Sequence, residues 1–303
     1  MTIRFDGKVA IVTGAGGGLG RCHALELAKR GAKVVINDLG GAVDGTGGNS
    51  AAAEAVVKEI TAAGGTAIAN GASVTDDAGV AHLVKQTMDA WGRIDILIAN
   101  AGILRDKSFG KMELADFNAV MAVHVMGTVK PARAIWQIMR DQQYGRIVVT
   151  TSSTGLYGNF GQTNYGTAKL GLVGFMNSLK IEGAKDNIKV NAICPVAATR
   201  MTENLLPPAM LEMLKPEYVT PAVVFLASED APTGGIISAA AGAFSSAQIV
   251  ESKGINLGHN ATADTVAENW AKISDFTGAV HFNMGNEHAG HLLQRLQDKP
   301  VVP

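Results

Sequence analysis

The chain has 303 residues, 47 % hydrophobic and 17 % charged, so it holds ample apolar material for a core and does not read as disordered. Its 26 Lys and Arg against 27 acidic residues leave a net charge of −1, which argues against nucleic acid or an anionic membrane as the main partner. Cys22 and Cys194 are too few for a disulfide framework. No apolar run approaches the ~18 residues of a membrane span, and residues 1–6 lack the apolar stretch of a signal peptide. These features predict a soluble protein of a reducing compartment, cytoplasmic by default.

Residues 8–13 form a β-branched run that predicts a short buried strand, stopped at Gly14. A helix is predicted over 19–30, with Gly31 at its end, and a second strand over 33–36, closed by Asn37-Asp38. The alternation continues with helices over 51–63 and 78–91 and strands over 67–69 and 94–98. One long helix is predicted across 117–139, then a strand at 146–149, a helix at 169–184 and a strand at 189–193. Short apolar strands alternating with amphipathic helices, without tight hairpins, predict right-handed βαβ crossovers. The fold class is therefore α/β: a Rossmann-like, doubly wound parallel sheet with helices on both faces. No internal boundary is visible. The chain reads as a single domain over 1–303, with a core at about 7–243 and a C-terminal extension over 244–303 in which 262–276 predicts a helix.

The tract Thr13-Gly14-Ala15-Gly16-Gly17-Gly18-Leu19-Gly20 lies between the first strand and the first helix. Glycines there let the backbone approach a pyrophosphate, while the helix dipole and free N–H groups stabilise its charge. The spacing Gly14, Gly18, Gly20 departs from G-x-G-x-x-G, since position 19 is Leu. Asp38 ends the second strand where an acid binds an adenosine ribose, and its carboxylate repels a 2′-phosphate. Leu39 follows it, and no Lys or Arg lies within the glycine turn. NAD is the expected cofactor.

Of four tyrosines, only Tyr165 has a lysine four residues on, Lys169, on the same face of a helix. A positive charge there favours the phenolate and suits Tyr165 to exchange a proton with an alcohol or carbonyl oxygen. Ser152 ends a strand, so the ligand crevice at the C-terminal edge of a parallel sheet can bring it to Tyr165.

On Thr13-Gly14…Gly18…Gly20, Asn100-Ala101-Gly102, Ser152 and Tyr165…Lys169, the chain resembles the short-chain dehydrogenase/reductase family over about residues 7–243. The resemblance implies an oxidoreductase acting on a CH–OH donor. Tyr165 would be the acid/base and Ser152 would hold the substrate oxygen. Lys169 would bond the nicotinamide ribose and lower the phenol's pKa. Asn100 would support the coenzyme, with Ser73 and Val74 near the adenine and Val196 and Thr199 near the carboxamide. His124 stands where many members have a proton-relay Asn; read without the family it is a packed helix histidine. Ala99 replaces the first Asn of Asn-Asn-Ala-Gly, and Pro195-Val196 replaces Pro-Gly.

Within the family, 37–48, 155–162, 200–203 and 214–219 are similar to the (3R)-hydroxyacyl-CoA dehydrogenase parts of peroxisomal multifunctional enzymes of type 2, also called 17β-hydroxysteroid dehydrogenases of type 4. The chain is too short for the hydratase and sterol-carrier parts of such enzymes. The expected reaction is oxidation of (3R)-3-hydroxyacyl-CoA, with a 17β-hydroxysteroid as alternative and a catalytically silent nucleotide-binding scaffold as the alternative of another class. Ser152, Tyr157 and Asn159 are the candidate substrate residues. The Met- and Leu-rich segment 201–214, interrupted by Pro207-Pro208, reads as a lid, with Arg200 or Lys215 as candidates for CoA phosphates. His281, His288 and His291 with Glu287 fit no standard zinc spacing, so no metal is expected. Apolar residues around much of the 117–139 and 169–184 helices predict a homodimer or homotetramer.

Overall fold

The structure, a computed structural model, describes residues 2–198 and 207–301. It divides into two compact units, Met1–Ser246 and Ala247–Pro303.

The first unit opens with β1 (Val9–Thr13), α1 (Gly18–Lys29), β2 (Lys33–Asn37), α2 (Ala51–Ala62), β3 (Thr66–Asn70), α3 (Asp77–Trp91) and β4 (Ile96–Ala99). It continues with α4 (Leu114–Met121), α5 (Gly127–Gln142), β5 (Gly145–Thr150), α6 (Ser153–Tyr157), α7 (Thr163–Gly183) and β6 (Ile188–Pro195). α8 (Pro208–Met213), α9 (Thr220–Leu226), β7 (Ile236–Ala240) and β8 (Ala243–Ala247) close it. The strand order is β3-β2-β1-β4-β5-β6-β7-β8. From β3 to β7 the strands pair in parallel, with Val12 beside Ile36 and Ile98, and Val149 beside Ala192.

β1, β4 and β5 are buried at every residue, as a sheet covered on both faces requires. Val12, Ile36, Ile98 and Val148 join Leu27 of α1 and Val223 of α9 in one core. The order reverses between β1 and β4, and a crevice opens at that switch point beyond the carboxyl ends of the strands.

The sheet departs from the sequence reading at one edge, where a tight hairpin stands. Ala241 (φ 49°) and Gly242 (φ 81°) both occupy the left-handed region, which a two-residue turn between antiparallel strands demands. An Ala in that pair hides the signal. The helix expected over 117–139 is also broken in pitch: α4 and α5 are joined by one π-helical turn, Ala122–Met126, centred on buried His124. Such turns favour functional sites, because they swing a side chain out of the regular spacing.

In the second unit, the helix expected over 262–276 is two short pieces, α10 (Ala263–Glu268) and α11 (Trp270–Ile273), and α12 (Gly285–Arg295) follows. Thr262 and Thr265 cap α10 reciprocally. His288 pairs with Glu251 at 3.1 Å, and Phe282 packs between the His288 and His291 rings. Among the described residues no three His, Cys, Asp or Glu side chains gather to hold a metal ion, and no helix is long and apolar enough to cross a membrane.

Candidate active site

Main chain shapes the first wall of the crevice. β1 ends at Thr13, the chain turns at Gly14 (φ 63°), and α1 starts without a side-chain cap. A Cβ on Gly14 would lie 2.8 Å from Ala101 Cα; one on Gly20 would strike the Gly14 carbonyl and lie 2.6 Å from Asn100 Nδ2. Only glycine allows this approach. The uncapped first turn of α1 leaves N–H groups free for an anion, with the helix dipole behind them. Gly14, Gly18 and Leu19 line a cavity of about 450 Å³, while Gly20 is buried outside its lining.

Asp38 lies on the same wall. Its Oδ2 accepts the Gly16 N–H at 2.7 Å and its Oδ1 accepts the Gly40 N–H at 2.7 Å. The carboxylate is thereby fixed, with lone pairs left for the vicinal hydroxyls of a ribose. Ser73 and Val74 also line the cavity. Asn100 Nδ2 donates to the carbonyls of Thr13 and Gly14, each at 3.1 Å, so its side chain ties β4 to the glycine turn.

The opposite wall is made of side chains. α7 places Tyr165 and Lys169 one turn apart, with Lys169 Nζ 5.4 Å from the centre of the phenol ring. That ammonium donates to Thr150 O at 2.6 Å, at the end of β5. Thr151 Oγ donates to the Lys169 carbonyl at 2.7 Å and pins the helix to the same strand end. Ser152 takes the N-cap position of α6, its Oγ accepting from Thr154 N at 3.2 Å, and hydrogen-bonds the Tyr165 side chain.

The electrostatics correct one expectation. The net shift of Tyr165 is upward, not downward: burial pushes the phenol up to about 12, partly offset by the bond to Ser152. Burial also brings Lys169 down to about 7. Both groups lose water in the same pocket, and desolvation disfavours the charged form of each. Tyr165 therefore rests as the acid form, and Lys169 changes charge near neutrality.

His124 sits edge-on to Tyr165, ring centres 5.2 Å apart at 88°. Its Nε2 lies 2.8 Å from Ile103 O and 3.1 Å from Ile103 N. Only one of those bonds forms at a time, since Nε2 either carries the proton or accepts one. Nδ1 is buried without a partner. Burial, and the Lys169 charge after it, hold the imidazole pKa well below its ordinary value, so the ring is neutral. A Cβ on Gly102 would strike this ring, which accounts for glycine there.

Not every expected residue converges. Tyr157 is 77 % exposed and, with Asn159 and Ser152, stands outside the cavity lining. Asn159 instead donates to Gln162 Oε1 at 3.0 Å. Val196 is turned to solvent and its N–H bonds Ala239 O at 2.9 Å; its neighbour Pro195 lines the cavity. Thr199, Arg200 and 201–206 of the expected lid lie outside the described residues, and Lys215 pairs with Glu212 at 2.7 Å.

A family model described as short chain dehydrogenase matches residues 8–208. The chain belongs to that family. As a short-chain dehydrogenase it is an oxidoreductase acting on CH–OH groups with a nicotinamide cofactor. It is 48 % identical to peroxisomal multifunctional enzyme A of Dictyostelium discoideum over 99 % of this chain and 68 % of that protein. The solved full-length peroxisomal multifunctional enzyme type 2 of Drosophila melanogaster matches with a TM-score of 0.81 and 39 % identity, over 97 % of this chain and 50 % of that one. A 7α-hydroxysteroid dehydrogenase in complex with NADH and 7-oxo glycochenodeoxycholic acid matches with a TM-score of 0.71 and 30 % identity, over 79 % of this chain and 95 % of that one. The chain thus spans two thirds of one multifunctional relative and half of the other.

The sequence reading of this short-chain dehydrogenase missed two contributors. Thr13 Oγ accepts the N–H groups of Asn100 and Ala101, each at 3.1 Å, and Thr150 supplies the carbonyl under Lys169. Both are strand-terminal threonines at the sheet's carboxyl edge, which was the available signal. The segment after Asp38 also contributes to the site, since Leu39, Ala42 and Val43 line the cavity.

Proposed function

We propose that the chain is an NAD-dependent dehydrogenase that oxidises a (3R)-3-hydroxyacyl-CoA to the 3-oxoacyl-CoA. The observation that carries the chemistry is the meeting of Tyr165 and Lys169 at one wall of a cavity whose other wall is a glycine turn, with Ser152 acting on the Tyr165 phenol from behind that wall. The coenzyme supplies the two-electron acceptor for the carbon-bound hydrogen of the alcohol. Ser152 holds the substrate oxygen, and Tyr165 takes the hydroxyl proton during oxidation or returns it to the carbonyl during reduction. Lys169, when protonated beneath the ring, favours the phenolate and so assists the oxidative direction.

The preference for NAD rests on Asp38 and on what surrounds it. Among the described residues lining the cavity, Lys169 is the sole Lys or Arg, and it belongs to the catalytic wall. A 2′-phosphate would meet the Asp38 carboxylate with no cation to balance it.

The acyl-CoA preference rests on likeness to the multifunctional enzymes, whose peroxisomal names also make a peroxisome-like compartment a rival to the cytoplasm. The hydroxysteroid relative supports the competing substrate. The deciding measurement is kcat/KM for (3R)-3-hydroxydecanoyl-CoA, its (3S) epimer and a 17β-hydroxysteroid. A clear (3R)-acyl preference is expected; equal use of both epimers, or a steroid advantage, rejects the assignment.

A homodimer or homotetramer belongs to the same proposal. α7 exposes Leu170, Gly171, Gly174 and Ile181 along one stripe, an apolar and close-packing surface for a second copy. A monomer by light scattering at micromolar concentration would remove this part.

A further inference from the structure

Residues 38–50 join β2 to α2, where connections in α/β units usually take about two to six residues. The extra chain is a compact loop whose ends meet: a Cβ on Gly40 would fall 2.7 Å from the Asn49 backbone N, and one on Gly48 would fall 2.8 Å from Leu39 O. Its tip is a closed turn. Ala42 N bonds Thr46 O at 2.8 Å, Gly45 N bonds Ala42 O at 3.0 Å, and Asp44 Oδ1 accepts from Thr46 Oγ at 2.8 Å. Closed ends and internal bonding make an Ω-type loop, a compact unit packed on itself.

The loop does not stop at the adenosine wall where it starts. Gly41, Ala42, Val43 and Gly45 line the cavity, and the tip reaches the segment after β4. There Leu104 N donates to Val43 O at 3.1 Å and Arg105 Nε donates to Asp44 O at 3.0 Å. The loop therefore connects the carboxyl ends of β2 and β4, on either side of β1 and its glycine turn.

Arg105 is itself mounted firmly. Its guanidinium also pairs with Asp116 of α4 at 3.2 Å, and Asp116 is shared with Lys107 at 3.1 Å. Its carbonyl accepts from Asn164 Nδ2 at 2.9 Å, and Asn164 Oδ1 accepts the Tyr165 N–H at 2.7 Å. One residue thus holds the loop tip and is held by the helix that carries the catalytic tyrosine.

We propose that residues 40–49 are a clasp over the coenzyme, locked by Arg105, whose opening governs coenzyme release. This rests on the nicotinamide-coenzyme reading of the cavity and is independent of the alcohol oxidised. Coenzyme leaves when the Arg105–Asp44 and Leu104–Val43 bonds break together and the loop swings on its paired ends. Arg105 is a positioning residue: it touches the clasp, and the clasp touches the coenzyme.

The test compares the intact chain with Arg105→Ala and with a chain in which 41–48 is replaced by two glycines, a replacement the adjacent ends accommodate. Stopped-flow fluorescence follows NADH displacement by excess NAD, and amide hydrogen exchange follows 40–46 without coenzyme. Arg105→Ala is expected to speed exchange in 40–46 and to raise the NADH off-rate about tenfold. The loop replacement, with Arg105 intact, is expected to give an equal or larger rise. Unchanged exchange in Arg105→Ala overturns the lock, and an unchanged off-rate in the loop replacement overturns the clasp. Should Arg105→Ala fail to fold, the loop replacement decides the clasp, and Arg105→Lys, keeping the charge but losing the two-armed geometry, decides the lock by the same exchange readout. Failure of NADH to bind the intact chain would instead reject the coenzyme reading itself.

Discussion

Around residues 14–20 and Asp38 the cavity wall is main chain: glycines pressed against carbonyls, free helix-start N–H groups, and a carboxylate oriented by two backbone amides. Around Tyr165 and Lys169 the wall is side chain: groups stripped of water, their proton affinities moved by burial. In the proposed function the first wall recognises the coenzyme, and its glycines leave almost no room for an added atom. In the same proposal the second wall reacts, so it should tolerate a change of shape better than a change of chemistry. Substitutions on the two walls should therefore fail in different ways.

The largest effect belongs to the reacting wall. Tyr165→Phe keeps the ring against His124 and removes the hydroxyl that Ser152 bonds. The expected loss in kcat is roughly 10²–10⁴-fold, the usual share of a general acid/base, with NADH affinity within about twofold by fluorescence titration. Activity within a few-fold of wild type would remove Tyr165 from the mechanism. Because burial holds the phenol up at about 12, the wild-type oxidation rate should climb with pH across the alkaline range, and reduction should fall.

Gly20→Ala tests the recognising wall. The added methyl meets the Gly14 carbonyl and Asn100 Nδ2, the point where the turn and β4 are tied. NADH affinity should fall about tenfold or more and thermal stability should drop, since a close-packed backbone has nowhere to yield. kcat at saturating coenzyme should change far less. An equal loss in kcat would show that the two walls are not separable.

These walls also differed in how far sequence revealed them. Backbone recognition leaves a local trace, since glycines between a strand and a helix can be read without knowing any contact. Tyr165 and Lys169 were legible for the same reason, lying one helical turn apart. The hairpin at Ala241-Gly242 was hidden because Ala in the left-handed region is unusual. The π turn was hidden because its apolar spacing resembles a regular helix. The reach of 40–49 across to Arg105 depends on bonds between segments some 60 positions apart, and spacing carries no record of those.

A smaller effect is expected at Asp38. Replacing it by Ala removes the repulsion of a 2′-phosphate but leaves Gly16 and Gly40 without their shared acceptor. The NAD-to-NADP ratio of kcat/KM should fall about tenfold, and further with Leu39→Arg added. A wild-type enzyme that already favours NADP would defeat the argument.

The smallest effect on turnover is expected where the walls meet, at His124. Its ring can satisfy Ile103 N–H or Ile103 C=O but not both, and Nδ1 has no partner. A carboxamide presents donor and acceptor together, so His124→Asn can bond both Ile103 groups in one conformation. kcat/KM should stay within about threefold, and its pH profile should not move, because the imidazole it replaces is neutral. Acid stability should separate the two proteins. Burial keeps His124 unprotonated in the folded chain, while the unfolded chain takes up a proton below about pH 6.5. The unfolded state then binds more protons, so this residue's contribution falls as pH drops below that value. Asn carries no such linkage, and the acid-unfolding midpoint of His124→Asn should lie at lower pH than wild type. Buried His23, its pKa brought down to about 3, remains in both proteins and leaves each with an acid limb. A variant that unfolds at higher pH, or whose rate profile shifts, would mean that the imidazole carries a proton in the working enzyme.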